Sequence, residues 1–278
     1  MQPNNSFSLK RFGLYFRKDI LDNYKMYLLF AGSMLAGACL LGFLFAFKWT
    51  MNDQNIHLSH MVPLYMVATL FFTGLVTARS FSNLGQQEQR IDFFMIPASI
   101  LEKVLTRFVI SLITIFIFLN LAIYIGFQVF EFVVTNLRAG KVIHDVPLFF
   151  DGPFGITELL IIVLTLHAIF FLGSTLFYKF SFPKIFFGFS VLLFCFWLIN
   201  VLFTNILFGS KMFEWYSSIP YFMVMTQRQL PAEVGHMGMN TFLIPEWVGR
   251  VLIFTGRYLL IPSMWALAYF RIKDKEVQ

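Results

Sequence analysis

The sequence predicts an all-α integral membrane protein with six transmembrane helices and both termini in the cytoplasm. Hydrophobic residues make up 58% of the 278 residues, charged residues only 13%, and the mean hydropathy is +0.72. A soluble domain of ordinary composition carries about 25% charged residues, which cover its surface. Two further observations give the number of helices and their orientation: six continuous apolar runs, and Lys and Arg residues that fall mostly on one side of them.

Each apolar run is long enough to cross a bilayer core about 30 Å thick, which needs roughly 20 helical residues. The six runs cover residues 26–47, 61–78, 108–130, 159–178, 185–208 and 251–270. Five of them contain no Asp, Glu, Lys or Arg, and the sixth contains only Arg257. Continuous runs favour helices over barrel strands, which alternate in hydropathy over about 10 residues.

The Lys and Arg residues predict the orientation of these spans. Fourteen lie before the first span or after the second, fourth and sixth, against six in the remaining loops. Positive side chains favour the cytoplasmic side, so we expect a multi-pass protein of the cell (cytoplasmic) membrane. Its parts are an N-terminal segment, a transmembrane domain and a cytoplasmic tail, at residues 1–25, 26–270 and 271–278.

The N-terminal segment has the pattern of an amphipathic helix. Leu9, Phe12, Phe16 and Ile20 recur at a spacing of three or four residues, and basic residues occupy the other angles. This pattern is typical of a helix that lies in the headgroup plane of the membrane. The alternative is a cytoplasmic helix that packs on the transmembrane bundle.

Two loops on the predicted outer side are long, at residues 131–158 and 209–250. Neither is long enough for a sizeable domain with its own core. The second contains an apolar stretch at residues 219–225, which is too short to span the bilayer. We expect either a re-entrant element or a helix packed on the outer face.

The loop between the second and third spans, residues 79–103, is called the inner loop below. A short helix from Leu84 to Met95 would place Leu84, Ile91 and Met95 on one side. The rest of this helix is polar, and its polar residues are Gln86, Gln87, Glu88, Gln89, Arg90 and Asp92. Such a helix at the cytoplasmic surface can dock onto a soluble partner.

A sharp boundary follows this helix. Pro97 ends it, because proline cannot continue the hydrogen-bond ladder and restricts the residue before it. Ser99 and Glu102 then form a Ser-x-x-Glu capping box, which predicts that the next helix begins there and leads into the membrane.

Polar residues inside the spans are candidates for a substrate pathway, because intramembrane polar groups are costly when unpaired. Asn120, His167 and Asn200 are the candidates that we name. For the two asparagines the alternative is a hydrogen bond to another helix, and for His167 it is a packing role. Small residues at four-residue spacing, such as Ala38 and Gly42, predict close helix packing within the chain or between two copies.

Other kinds of site have little support in the sequence. No Gly-x-x-x-x-Gly-Lys-Ser/Thr phosphate loop occurs, so we expect no nucleotide site of that class in this chain. His57 and His60 lack an obvious third ligand, so we expect no metal site. No basic stripe interleaved with aromatic residues appears outside the spans, which argues against nucleic-acid binding.

The order of these parts resembles the membrane subunit of ATP-binding-cassette exporters of the type-2 permease family. The family has an amphipathic N-terminal helix, six spans, a coupling helix between the second and third, a large outer loop before the sixth and a short basic tail. Three segments of this chain also look similar to the family: residues 7–18, residues 94–103 and the ending at residues 269–277.

The resemblance implies a permease subunit that forms the substrate pathway by alternating access, and is not itself an enzyme. ATP and Mg would then be bound by a partner ATPase subunit, and this chain would hold no cofactor. A second permease copy, identical or homologous, would complete the pathway. The implied residues of ATPase coupling are Gln87, Glu88, Arg90, Asp92, Phe93, Pro97, Ser99 and Glu102. The alternatives are a stand-alone secondary transporter or channel, or a membrane scaffold that transports nothing.

Overall fold

A computed structural model describes most of the chain. The described residues are 7–49, 55–57, 62–137, 141–143, 156–208, 218–219, 223–228, 238–243 and 245–276. They fall into two compact units, the first formed by residues 1–182 and 261–278 and the second by residues 183–260.

The first unit is mostly helical. Its helices are α1 (Leu9–Trp49), α2 (Val62–Ala78), α3 (Gln87–Met95), α4 (Ile100–Ile113), α5 (Asn120–Phe132), α6 (Ile156–Leu176) and, at the C-terminal end, α9 (Ile261–Glu276). Shorter helical pieces are a 3₁₀ turn at Ser82–Gly85 and two π-helical segments at Thr114–Leu119 and Val133–Leu137. Because the first π segment joins α4 to α5 directly, residues 100–137 form one long helical rod.

Helix α7 (Ser181–Phe208) begins at the end of the first unit and continues into the second. The second unit also contains three strands, α8 (Glu246–Phe254) and a π-helical segment at Thr255–Leu260 that leads into α9. The three strands are β3 (Ser218–Ile219), β4 (Met223–Arg228) and β5 (Gly238–Leu243).

Four helices in the described part of the chain are long and apolar enough to cross a membrane. They are Leu9–Phe47, Ile100–Asn136, Leu159–Leu176 and Ser181–Leu202. A multi-pass membrane protein is therefore supported, and four of the six predicted spans have a counterpart. The other two predicted spans are also helical: α2 is shorter, with 17 residues, and α8 continues through the π segment into α9.

The N-terminal segment is not separate from the first span, because both lie in the single 41-residue helix α1. Sharp helix bends need a Pro, a Gly/Ser pair or a π-bulge. Helix α1 has no Pro, and no Gly between Gly13 and Gly32. None of these features therefore interrupts the helix near residue 25, where the predicted segment ends. Tyr15 and Asp19 are instead buried, which favours the alternative of a helix packed on the bundle.

Short strands were missed by the all-α prediction. The stretch at residues 219–225 was expected to be re-entrant or helical, but β3 pairs antiparallel with β4, and β4 with β5. Val224 lies opposite Phe242 and Thr226 opposite Asn240. Val224 and Phe242 are of the β-branched and aromatic types that favour strands. The prediction considered only residues 219–225, and the partner strand β5 lies outside that stretch.

Loops of the first unit contact one another at both ends of its helices. On the predicted outer side, β1 (Asn55–His57) pairs in parallel with β2 (Lys141–Ile143). On the other side, the Ser181 hydroxyl donates a 2.7 Å hydrogen bond to the Ala78 carbonyl oxygen. These pairings agree with the predicted alternation of loops between two faces.

Candidate functional site

Helix α3 presents a polar surface on the inner loop. The exposed polar residues on it are Gln87, Glu88, Gln89, Arg90 and Asp92. Glu88 lies in the first turn, where a carboxylate is favoured by the positive end of the helix dipole. The helix ends at Met95, two residues before Pro97, as predicted. The predicted coupling residues of this stretch are therefore accessible to a partner, apart from Phe93.

The buried side of α3 differs from the predicted one. Leu84 and Phe93 are buried, whereas Ile91 and Met95 are exposed, Met95 by 79%. The difference arises because Leu84 lies in the 3₁₀ turn and not in α3, so its direction does not follow the helical period that links it to Ile91. The exposed Met95 and Ile91 add an apolar contact area to the polar surface.

Phe93 packs α3 against the rest of the first unit. It belongs to a buried apolar cluster that joins the inner loop to α4, α6 and α9, with the members Phe81, Leu84, Phe93, Ile100, Val104, Phe171, Ala268 and Ile272. A buried aromatic ring contributes large apolar area to such a cluster. Phe93, which was predicted as a coupling residue, is therefore buried beneath the polar surface of α3 and is not part of that surface.

Lys103 holds the C-terminal end of α3. Its side chain is completely buried, and its ammonium donates a 3.3 Å hydrogen bond to the Phe94 carbonyl oxygen in the last turn of α3. The same ammonium lies 5.3 Å from the centre of the Phe93 ring. A cation at a helix C-terminus is favoured by the helix dipole, so this lysine of α4 ties α3 firmly to α4.

The predicted capping box is present, and its glutamate also accepts hydrogen bonds from outside the box. Glu102 Nα donates to Ser99 Oγ at 3.3 Å, and Ser99 Nα donates to Glu102 Oε2 at 2.9 Å. The other carboxylate oxygen, Oε1, accepts from Ser8 Nα at 2.7 Å and from the Arg11 guanidinium at 3.1 Å. The buried Glu102 therefore caps α4 and also anchors the start of α1.

We expect Glu102→Ala to destabilise the chain by about 2–3 kcal/mol, because three donors lose a charged acceptor. Ser99→Ala should cost about 1 kcal/mol, the usual loss for an N-cap. Ser82→Ala is the matched control, since that hydroxyl is a local contact to Arg79, and should cost less than about 0.5 kcal/mol. Thermal unfolding in detergent micelles measures all three. Equal midpoints for Glu102→Ala and Ser82→Ala would contradict this assignment.

A second ion pair between α1 and α4 was not predicted. Asp19 Oδ1 lies 2.8 Å from Arg107 Nη2, and both side chains are more than nine-tenths buried. The Tyr27 hydroxyl donates to Asp19 Oδ2 at 2.9 Å, and the Asn23 amide donates to the same carboxylate. Asp19 stands out in the sequence as a carboxylate within a strongly basic segment, but the sequence does not indicate which cation it meets.

The predicted pathway residues lie in different surroundings. Asn120 is exposed, and its amide donates a 2.9 Å hydrogen bond to the Phe116 carbonyl oxygen of its own helical rod. His167 is completely buried in the first unit. Asn200 is half-buried on α7, in the second unit. Asn120 and His167 therefore do not share one environment.

His167 has the surroundings of a packing residue. The indole N–H of Trp265 donates to His167 Nδ1 at 3.2 Å. Since Nδ1 accepts, Nε2 carries the proton and donates to Ser111 Oγ at 2.8 Å. The Ser111 hydroxyl in turn donates to the Phe108 carbonyl oxygen. Both ring nitrogens are thus satisfied within the protein, in a network that joins α4, α6 and α9.

The histidine pair that was considered for a metal site lies partly outside the described residues. Among the described residues, no three His, Cys, Asp or Glu side chains are grouped so as to hold an ion. His57 belongs to β1, while His60 lies outside the described residues. Both cysteines, Cys39 and Cys195, are free thiols.

Comparisons with known proteins give no match: no family model, no curated protein and no solved structure is significantly similar to this chain.

Proposed function

We propose that the chain is the transmembrane permease subunit of an ATP-driven exporter of the ATP-binding-cassette class, with ATP and Mg bound by a separate ATPase subunit. The observation that supports the proposal best is helix α3. It offers a polar surface outside the spans, while Phe93 and Lys103 hold it rigidly to the helices of the first unit. A membrane bundle and a soluble ATPase exchange work only through a contact that both sides hold rigidly.

The contacts that hold α3 would transmit its movement to the other helices. ATP binding would close two ATPase subunits and move α3, and α4 would follow through Lys103. Helix α1 would follow α4 through the Glu102–Arg11 and Arg107–Asp19 ion pairs. For net movement, ATP must favour one arrangement of the subunits by binding it more tightly.

Cargo would pass between two permease subunits. The apolar cavity lined by residues of α1, α2 and α5 has a volume of only about 30 Å³. A space of that size admits only water-sized molecules, so this cavity alone holds no cargo. We propose a homodimer or a heterodimer with a similar permease, with a pathway at the interface of the two copies, as the family resemblance implies.

The test is a charge swap on α3, Glu88→Arg with Arg90→Glu. We expect recovery of the ATPase complex to fall by about tenfold or more, because unpaired charge at an interface is costly. The swap should leave the spans inserted, since both residues are exposed on α3. Arg228→Glu with Glu233→Arg, in the predicted outer loop, is the matched control and should leave recovery unchanged.

Complex recovery and cargo-stimulated ATP hydrolysis are compared at equal membrane abundance. Normal coupling in the α3 swap, or a loss confined to the control swap, would overturn the role of α3. Transport by the purified chain alone in liposomes, with no ATPase present, would instead establish the stand-alone transporter.

A further inference from the structure

A polar cleft lies between the N-terminal part of α1 and the inner loop. It is called the α1–α3 cleft below, and its volume is about 230 Å³. An apolar cavity of about 150 Å³ already takes up benzene, so this cleft has room for a side chain of another protein. Asp19 and Arg107 line its buried floor, and Lys18, Asp22 and Asp92 line its exposed rim.

The charges that face the cleft do not balance within the chain. Asp19 is paired with Arg107 at 2.8 Å, and Lys18 is paired with Asp22 at 3.4 Å. In the part of the chain that the structure describes, Asp92 has no ion-pair partner. One negative charge thus remains at the rim, and charge complementarity favours a cation from outside the chain.

Polar groups around the cleft also lack hydrogen-bond partners. The side-chain amides of Asn83 and Gln89 line it and make no hydrogen bond to another described residue. The Arg107 side chain is more than nine-tenths buried, and its Nε–H finds no acceptor among the described residues. Buried donors in proteins are nearly always paired. A polypeptide segment suits such a site, because it brings a cationic side chain for Asp92 and carbonyl oxygens for the donors, whereas a metal ion brings no acceptor.

The cleft opens beside the proposed ATPase contact, and its walls are held in place. Gln89 and Asp92 are exposed on α3, so a protein docked there reaches the cleft. Lys103 holds α3 to α4 through a hydrogen bond. On the opposite wall, the Arg107–Asp19 pair holds α1 to α4. A site with fixed walls needs little reordering when a partner binds.

We propose that the α1–α3 cleft receives a lysine or arginine side chain of the partner ATPase subunit, which pairs with Asp92. This role rests on the proposed function, and it adds a basic side chain to what the partner must carry. A side chain inserted between α3 and α1 would touch both helices. Movement of the ATPase would then reach α1 directly, and not only through Lys103 and α4.

A tryptophan placed in the cleft tests the insertion. Asn83→Trp fills the cleft but keeps every polar side chain of α3. We expect recovery of the ATPase complex, at equal membrane abundance, to fall by about tenfold or more, because the partner side chain loses its access to Asp92. Ser82→Trp is the matched control. This neighbouring residue is also half-buried but does not line the cleft, so recovery should stay at the wild-type level.

Asp92→Asn tests the pairing itself and should lower recovery by about fivefold or more. Asp274→Asn removes an exposed carboxylate of α9 outside the cleft and should leave recovery unchanged. If Asn83→Trp does not reach the membrane, a benzophenone label at Lys18→Cys, on the α1 wall, should crosslink to an ATPase peptide that contains lysine or arginine. The same label at Arg17→Cys, exposed but outside the cleft, should not.

The results separate the cleft from the proposed function. A wild type that recovers no ATPase overturns the proposed function, and the role of the cleft with it. Recovery by the wild type with the two tryptophan variants equal overturns the cleft alone, as does normal recovery by Asp92→Asn. Crosslinks from Lys18 to lipid alone would contradict the insertion as well. Asp92-dependent binding of spermidine to the isolated chain, with recovery of the complex unaffected by Asn83→Trp, would show a site for a free organic cation and would also overturn it.

Discussion

Arg107→Met is expected to destabilise the folded chain by about 3–5 kcal/mol, the usual cost of breaking one partner of a buried ion pair. The methionine keeps most of the side-chain volume, so the loss comes from the Asp19 carboxylate. That carboxylate stays buried with hydrogen bonds from Tyr27 and Asn23 but without a countercharge. Unfolding in detergent, followed by helical circular dichroism, measures the effect.

Two further variants separate the ion pair from general packing. Replacing both partners, by Asp19→Leu with Arg107→Met, should recover at least about half of the lost stability, because no buried charge remains. Lys18→Ala with Asp22→Ala removes an exposed pair on the same helix, 3.4 Å apart, and should cost less than about 1 kcal/mol. If Arg107→Met unfolds at the wild-type midpoint, the pair does not hold α1 to α4.

Gly126→Val is expected to have the second large effect, a destabilisation of about 3 kcal/mol or more, because α1 and α5 are in backbone contact there. A Cβ atom added to Gly126 would lie 2.7 Å from the Ala38 carbonyl oxygen. One added to Gly42 would lie 2.3 Å from the Gly126 carbonyl oxygen. These obstacles are backbone atoms, so the two helices themselves must move apart. The same unfolding assay in detergent measures the loss.

Gly32→Val is the matched control, because a Cβ atom at Gly32 would meet nothing within 4 Å. It carries the same change of helix propensity, and its midpoint should stay near wild type. Equal behaviour of the two variants would mean that α1 and α5 do not cross at Gly126. A loss of stability in Gly32→Val alone would indicate that the small residues of α1 pack against a second copy of the chain.

Local patterns predicted the local features well. The apolar runs gave four helices that are long and apolar enough to cross a membrane, and Pro97 gave the end of α3 correctly. The Ser99–Glu102 capping box is present as predicted. Each of these depends on residues that are close in the sequence, where helical geometry fixes which side chains meet.

Long-range contacts were not predictable in the same way. Asp19 and Arg107 lie far apart in the chain, and neither residue alone indicates a partner. Strand β4 needs β5 to complete its hydrogen bonds, so residues 219–225 taken alone did not reveal a sheet. The two ends of α1 differ in composition, one basic and one apolar, and were therefore predicted as separate elements. The structure shows one continuous helix across both of them.

The most direct test of the proposed permease is a photo-crosslinking residue at Gln87, on the exposed surface of α3, in native membranes. We predict a crosslink to a polypeptide that carries a phosphate loop, identified by mass spectrometry of the adduct. The same residue at Ile117, exposed by 57% within a span, should crosslink to lipid and not to that polypeptide. Crosslinks from Gln87 to lipid alone, or to proteins that lack a phosphate loop, would contradict the account.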